Sequence, residues 1–254
     1  MSKPDPLTEG ARSSSMERVN LKNGILAAIE NGDRLLEDAR SMLEWERFPT
    51  SYALAVLAQE EYAKALLLSL VEASAVPWSD DIRRALHDHV CKQLVSVILD
   101  YLSPDIDEFL LRHDPSRVGE KRAVFPPDVL DAIHVICHER IPRGRDRWWL
   151  DPAERPLDRM VKVIADGRLE SQKQDAVYVR LGSTGEVLSQ PSRVSPDGAK
   201  AEVDRSERIG RQLRPYGRTP GLPDDLDSEK LIALFKLLTG RLSLEDFNAY
   251  WWAR

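Results

Sequence analysis

The segment from residue 51 to residue 71, SYALAVLAQEEYAKALLLSLV, restricts the possible folds more than any other part of the chain. Its pattern is typical of a helix, and apolar residues occupy almost every side of that helix. A helix that is apolar all round has to be enclosed by other elements, so we expect a bundle around it. Yet Glu60, Glu61 and Lys64 place charges in the middle of this segment.

These charges need partners, because a lone buried carboxylate takes up a proton instead of staying ionised. Glu60 and Lys64 are spaced for pairing along the helix, which leaves Glu61 to find a donor on a neighbouring helix. The next helical stretch offers His89 and Lys92, and we predict a buried network that joins Glu61 and Lys64 to these two residues. The same spacing fits structural ion pairs at a partly exposed edge equally well.

The residues before this helix predict a first helix that packs against it. A capping box, Ser14-x-x-Glu17, indicates the start of the first helix after a disordered tail over residues 1–14. Gly32 lies in the apolar stripe of this helix, which indicates a close approach by a neighbour. A break at Pro49, with Thr50 as the next cap, predicts that the first two helices form an antiparallel hairpin.

The later residues extend the same architecture. Ser79 is predicted to cap a third helix, which we expect to continue unbroken to Ser103. Helical patterns recur over 127–140, 157–173 and 197–213, and two short helices are expected near the C-terminus. Only the segment near 176–190 changes period, and its Gly-Ser-Thr-Gly turn predicts a small β-hairpin. We therefore predict an all-α bundle with a β-hairpin excursion, forming a single domain over residues 15–254.

Composition and charge exclude several classes of protein. The net charge of −6 argues against a surface built to coat nucleic acid, although it leaves room for a local basic pocket. Only Cys91 and Cys137 are present, so a disulfide framework is not expected. The N-terminus lacks the apolar core of a signal peptide, and no apolar run is long enough to span a membrane. We expect a cytoplasmic protein without a membrane segment.

Short motifs of the common enzyme classes are absent. The sequence has no P-loop, no dinucleotide fingerprint and no G-x-S-x-G elbow. His134 and His138 are spaced to form half a metal site, but no second ligand cluster accompanies them, and structural or surface histidines are the favoured interpretation. We therefore expect neither a metal nor a cofactor.

Two spaced motifs resemble the abortive-infection V (AbiV) family of bacterial anti-phage proteins, within the HEPN group of helical domains. The first is A-x-E-E-x-x-K over residues 58–64, and the second is H-x-x-K over residues 89–92. The stretch DAVYVRLGSTGEVLSQPSRVSP is similar to a tyrosine-containing β segment of such proteins. The resemblance covers roughly residues 20–210. It implies a HEPN-like fold, homodimerisation and a role in blocking phage propagation, by shutting down translation.

Many HEPN relatives are metal-independent endoribonucleases with an R-x4-6-H motif, in which the histidine assists attack by a ribose 2′-hydroxyl and the arginine stabilises negative charge. RALHDH supplies such a match from Arg84 to His89. In a regular helix these side chains diverge by about 140°, whereas Arg83 and His87 are aligned but too close in sequence for the motif. The spacing favours a solvated basic face beside a core histidine over this motif.

Two functions follow from the resemblance. One is a HEPN-type ribonuclease toxin that acts on RNA and is activated by infection. The other is a non-catalytic interaction protein that binds a phage protein or a component of the translation machinery. A phage-encoded activator is a further expected partner. The candidate catalytic residues are Glu60, Glu61, Lys64, Arg84, His89 and Lys92.

Overall fold

The computed structural model describes residues 6–72, 77–101, 132, 135–136 and 159–218. These residues are helical apart from one small hairpin, which confirms the predicted all-α class. The helices, numbered along the described residues, are α1 Pro6–Glu44, α2 Phe48–Glu72, α3 Asp80–His87, α4 His89–Tyr101, α5 Arg159–Ala165, α6 Arg168–Asp175 and α7 Pro196–Arg218. The strands are β1 Arg180–Leu181 and β2 Val187–Ser189, followed by a 3-10 turn at Pro191–Arg193.

The first two helices form the predicted antiparallel hairpin. The Ser51 hydroxyl donates to the Ala39 carbonyl at 2.8 Å, near the turn. Further from the turn, the Tyr62 hydroxyl donates to Asp33 Oδ1 at 2.7 Å. Positions therefore rise along α2 as they fall along α1, which is the order that antiparallel helices produce.

Two predicted helix starts are wrong. Helix α1 begins at Pro6, inside the segment expected to be a disordered tail, and Ser14 lies within the helix. Helix α2 begins at Phe48, so Thr50 is a helical residue and not its cap. Proline has a backbone φ that suits the first turn of a helix and lacks only an N–H that has no partner there. Pro6 and Pro49 therefore mark first turns, not breaks.

Tyr62 of α2 packs between two glycines on neighbouring helices. A Cβ atom on Gly32 of α1 would lie 2.6 Å from the Tyr62 ring, and one on Gly210 of α7 would lie 2.7 Å from its hydroxyl oxygen. Neither distance is possible for real atoms, so the ring requires glycine on both sides. The close approach predicted at Gly32 is confirmed. We call Tyr62, Gly32, Gly210 and Asp33 the Tyr62 clamp.

Helix α2 lies at the centre of the core, as its apolar character predicts. It packs against α1 and α7, and on another side against α4. The apolar stripe of α1 faces it, with Ile29, Leu36 and Ala39 buried. Among the described residues, no helix combines the length and the apolar character that crossing a membrane requires.

The predicted third helix is divided into α3 and α4 at Asp88. Ser79 caps α3 as predicted, accepting a hydrogen bond from the Ile82 amide. Asp88 then has an extended backbone, with ψ of 112°, and its carboxylate accepts a hydrogen bond from the Cys91 amide at 3.1 Å. A side chain that caps the first turn of a new helix in this way competes with continuation of the old one.

After α5, the chain forms α6 and then the β-hairpin. The helix predicted over 157–173 is two helices, because Gly167 adopts a left-handed φ of 72° between α5 and α6. The two strands pair antiparallel within the predicted range 176–190, which confirms the hairpin. Of the helix predicted over 127–140, only residues 132 and 135–136 are described, and they are helical, whereas His134 and His138 lie outside the described residues. So do the two C-terminal helices, and the extent of the single domain stays a prediction.

Candidate functional site

A carboxylate buried at the centre of the bundle collects partners from two other helices. Glu60 of α2 is 1% exposed. Its Oε1 accepts from Lys173 Nζ at 2.8 Å and from Gln93 Nε2 at 3.0 Å. Its Oε2 lies 2.5 Å from His89 Nδ1 and 3.3 Å from Lys92 Nζ. Every partner among the described residues comes from α4 or α6, so these residues connect the three helices at one charged centre.

A second carboxylate, Glu170 of α6, completes the group. Its Oε2 accepts from Lys173 Nζ at 2.6 Å and from Gln93 Nε2 at 3.2 Å, and it lies 3.8 Å from His89 Nδ1. The group contains two carboxylates and two buried ammonium groups. We call these six residues the Glu60 cluster: Glu60, His89, Lys92, Gln93, Glu170 and Lys173.

The backbone of α4 delivers three of these side chains to Glu60. His89 is the first residue of α4, where the Asp88 cap sets the start of the helix. Lys92 and Gln93 follow one turn later, so they lie on the same side as His89. The Ser96 hydroxyl lies 2.9 Å from the Lys92 carbonyl and 3.1 Å from the Gln59 carbonyl, so α4 packs closely against α2 beside the cluster.

The partners of Glu60 keep its carboxylate ionised. Burial raises the pKa of this carboxyl, but the charge and hydrogen bond of Lys173, the charge of Lys92 and the hydrogen bond of His89 together outweigh it. The net pKa is therefore lower than the usual value of 4.5. A buried carboxylate kept charged by two ammonium groups is a fixed anion, and such an anion can hold an imidazole in one orientation.

His89 connects this buried anion to the surface. Its side chain is 47% exposed, whereas that of Glu60 is 2% exposed. The ring lies at an open cleft of about 780 Å³. Nδ1 cannot both donate to Glu60 and accept from Lys173, which lies 3.2 Å away. The shorter distance to the carboxylate indicates that Nδ1 carries a proton, and in a neutral ring of this tautomer Nε2 has the lone pair.

The cleft brings Arg84 and His89 to one surface. The cleft is lined by Asp80, Arg83, Arg84, His87, Asp88, His89, Val90 and Glu170. The predicted divergence of Arg84 from His89 assumed one regular helix, and this assumption fails because Asp88 has an extended backbone between α3 and α4. Arg84 is exposed and paired with Asp81 on its own helix. The lining therefore combines an arginine and a histidine of the R-x4-H match with several carboxylates.

Glu61 and Lys64 lie apart from the cluster, contrary to prediction. They pair with each other at 2.6 Å, and both side chains are part-exposed. The predicted Glu60–Lys64 pair is absent from the described ion pairs, since Lys64 is taken by Glu61. One residue along a helix rotates the side chain by about 100°, so only one of two adjacent glutamates can point into the same interior. A buried network does join α2 to His89 and Lys92 of α4, but its carboxylate is Glu60 and not Glu61.

Three members of the cluster were missed by sequence reasoning. Gln93 follows Lys92 directly, whereas Glu170 and Lys173 come from a helix far along the chain. The spacing E-x-x-K in LESQKQD was a visible signal, because it places a carboxylate and an ammonium group one turn apart. Such pairs are common on exposed helices, so this spacing alone does not indicate burial.

The cluster also contains a potential metal-binding set. One ligand atom from each of Glu60, His89 and Glu170 lies within 4.8 Å of the others. Lys173 Nζ, however, contacts both carboxylates and so lies where a metal ion bound between them would have to be. Two ammonium groups already balance the two carboxylates, so these residues do not fit a bound metal ion. The set is better described as an ion-pair network that supports His89.

Comparison with known proteins identifies one family. The sequence model HEPN_AbiV, described as AbiV, matches residues 20–211. This range includes every residue of the Glu60 cluster, the cleft and the hairpin. No curated protein and no solved structure matches the chain.

Proposed function

Because the chain belongs to the HEPN-like AbiV family of abortive-infection proteins, we propose that it blocks phage propagation by cutting RNA without a metal ion. The observation that carries this proposal is the half-exposed His89 ring, held at Nδ1 by a buried and ionised Glu60. A histidine fixed in this way presents Nε2 as a base, which is the group that activation of a 2′-hydroxyl requires.

The proposed reaction needs only groups present at the cleft. His89 Nε2 takes the proton of a ribose 2′-hydroxyl, and the oxygen attacks the adjacent phosphorus. The bond to the 5′-oxygen breaks, that oxygen takes a proton from water, and His89 later returns the proton it accepted to the solvent. The products are a 2′,3′-cyclic phosphate and a 5′-hydroxyl. Arg84 then stabilises the negative charge on the phosphate. To do so, the Arg84 side chain has to leave Asp81, and their exposed ion pair is weak in water.

The remaining residues of the motifs have supporting roles in this proposal. Lys92 helps to keep Glu60 ionised, and Glu61 with Lys64 forms a separate pair on the flank of α2. We further propose that the protein acts as a homodimer, because the cleft is open and a second copy would close it around RNA. Translation is the process that such cleavage would stop, and a phage-encoded activator would start it.

The decisive experiment is an RNA cleavage assay with purified protein. Wild-type protein, His89→Ala and Arg84→Ala are incubated with total RNA, with and without a chelator. We expect cleavage with cyclic phosphate ends that survives the chelator and is lost in His89→Ala. Lys200→Ala is the matched control for Arg84→Ala, because it removes an exposed cation on α7, away from the cleft.

Cleavage that stops on addition of the chelator would overturn the metal-independent mechanism. Cleavage that continues in a folded His89→Ala protein would remove His89 from the reaction. Products with linear phosphate ends from the first moments of the reaction would contradict attack by the 2′-hydroxyl.

One observation favours a second candidate, a non-catalytic interaction protein. The hairpin and the residues leading into it expose large apolar side chains, namely Val177, Tyr178, Val179, Leu181, Val187 and Leu188. Exposed apolar clusters of this kind mark interaction sites in many proteins. The partner would be a phage protein or a translation component. In this case purified protein cleaves no RNA, and polar substitutions at Leu181 and Leu188 abolish phage defence.

A further inference from the structure

Lys173 contacts three of the other five members of the Glu60 cluster. Its ammonium lies 2.8 Å from Glu60 Oε1, 2.6 Å from Glu170 Oε2 and 3.2 Å from His89 Nδ1. Its side chain is only 8% exposed. A lysine buried this deeply is held by its ionic contacts, because an unpaired ammonium in the interior would lose its proton.

The contact with His89 differs in kind from the other two. Nδ1 donates to Glu60, so Lys173 has no acceptor at the ring and the contact is between a positive charge and an N–H group. A cation at this distance opposes a second proton on the imidazole, since protonation would place two positive charges side by side. Glu60 and Glu170 act in the opposite direction, because both carboxylates favour the charged ring.

We propose that Lys173 is a positioning residue that keeps the His89 ring neutral, with the proton on Nδ1 and the base at Nε2. This inference rests on the proposed function, because a neutral ring matters to RNA cleavage only if His89 is the base. Without Lys173, the ring would face two carboxylates balanced by Lys92 alone, and it would hold a proton that blocks Nε2.

The charged groups around His89 come from each element packed against it. Helix α2 supplies Glu60, α6 supplies Glu170 and Lys173, and α4 supplies Lys92. Helix α3 adds Arg83 and Arg84 at the cleft, each paired with an aspartate of the same helix, Asp80 and Asp81. His87 and Asp88 also line the cleft beside His89. The buried groups are screened least by water and salt, so Lys173 has more influence on the ring than the exposed arginines.

The experiment is a titration of His89 that needs no RNA. Protein labelled with ¹⁵N at histidine is examined by two-bond ¹⁵N–¹H correlation spectra, which distinguish the two neutral tautomers and the charged ring. The chain has five histidines, and the spectrum of His89→Gln assigns the signal of interest. The variants are Lys173→Met, Lys173→Arg and Glu170→Gln. Lys200→Met is the matched control, because it removes an exposed lysine that is paired with Asp204.

We expect wild-type His89 to be in the Nδ1–H tautomer. In Lys173→Met its titration midpoint rises by about one pH unit, and the acid limb of the RNA cleavage profile moves with it. Lys173→Arg keeps the charge and leaves the midpoint near that of the wild type. Glu170→Gln removes one carboxylate and lowers the midpoint. Lys200→Met leaves it unchanged.

An unchanged midpoint in folded Lys173→Met would overturn the inference, and so would an Nε2–H tautomer in the wild type. If Lys173→Met does not fold, Lys173→Gln decides the question, since it removes the same charge but keeps a hydrogen-bond donor for the two carboxylates, and an unchanged midpoint there is equally contradictory. The shifts appear whether or not RNA is cut. Shifts without cleavage would support the role of Lys173 and refute the ribonuclease proposal.

Discussion

Two of the buried polar residues of helix α2, Tyr62 and Glu60, are accommodated in the interior in opposite ways. Tyr62 and Glu60 are two positions apart, so their side chains point about 160° away from each other. Tyr62 faces α1 and α7, where two glycines leave room for its ring and Asp33 accepts its hydrogen bond. Glu60 faces α4 and α6, where the ammonium groups of Lys92 and Lys173 balance its charge.

The Tyr62 clamp and the Glu60 cluster differ in what limits them and in their access to solvent. The Tyr62 clamp is limited by shape, because the fully buried ring fits only where the two glycines leave room for it. The Glu60 cluster is limited by charge balance, and one of its members, His89, reaches an open cleft. Polar groups that are both balanced and connected to the surface are the arrangement typical of functional sites.

The largest effect is expected from breaking the charge balance of the Glu60 cluster. Glu60→Gln leaves Lys92 and Lys173 buried without their shared anion, and we expect it to lower the free energy of unfolding by about 3–5 kcal/mol. Urea denaturation measures this loss. The matched control is Glu61→Gln, which removes the neighbouring carboxylate from a part-exposed pair and should cost at most about 1 kcal/mol. Equal losses in the two variants would contradict the distinct roles of these glutamates.

A smaller loss is expected from adding one carbon to the Tyr62 clamp. Gly32→Ala would place a methyl group within 2.6 Å of the ring, and we expect a loss of about 1–3 kcal/mol in thermal or urea unfolding. Gly24→Ala is the control, because its methyl group would lie 3.3 Å from a methyl group of Leu68 in the same helix pair. There the gain in helix propensity, about 1 kcal/mol, offsets the contact. A neutral Gly32→Ala would show that the ring is free to move.

Asp88→Ala removes the cap of α4 and should lower the free energy of unfolding by about 1 kcal/mol. Loss of an N-cap usually costs about 0.5–2 kcal/mol. Ser79→Ala removes the matching cap of α3 and should cost a similar amount. The two variants should differ at the site, because only Asp88 sets where α4 and His89 begin. Asp88→Ala should therefore disturb the His89 signal in the NMR spectrum, and Ser79→Ala should not. Identical spectra would show that the bend does not depend on this cap.

Acid should produce the smallest difference. Because the folded pKa of Glu60 is below the usual 4.5, its contribution to stability is complete above that value and is lost as the pH falls through the folded pKa. The gap in unfolding free energy between wild type and Glu60→Gln should therefore narrow below about pH 4.5. Hydrogen bonds from Arg211 and Arg40 lower the pKa of Glu207 to about 2, and this contribution cancels because both proteins retain it. A gap that widens in acid would contradict an ionised Glu60.

The sequence by itself determined the helical class, the α1–α2 hairpin, the close approach at Gly32 and the position of the β-hairpin. Each of these depends on neighbouring residues or on a regular period, so it can be read along the chain. The motifs also identified Glu60, His89 and Lys92 as residues to examine. The predicted starts of α1 and α2 were less accurate, because proline is accepted in the first turn of a helix as readily as it ends one.

Only the tertiary structure decided which glutamate enters the interior and which ammonium groups meet it. Glu60 and Glu61 have similar neighbours along α2, and their difference depends on where α4 and α6 lie. Lys173 is separated from Glu60 by more than a hundred positions, and no helical period connects them. A bend of one residue at Asp88 brought Arg84 to the cleft with His89. Charge balance in a buried site is a property of distances between helices, and those distances are set by packing.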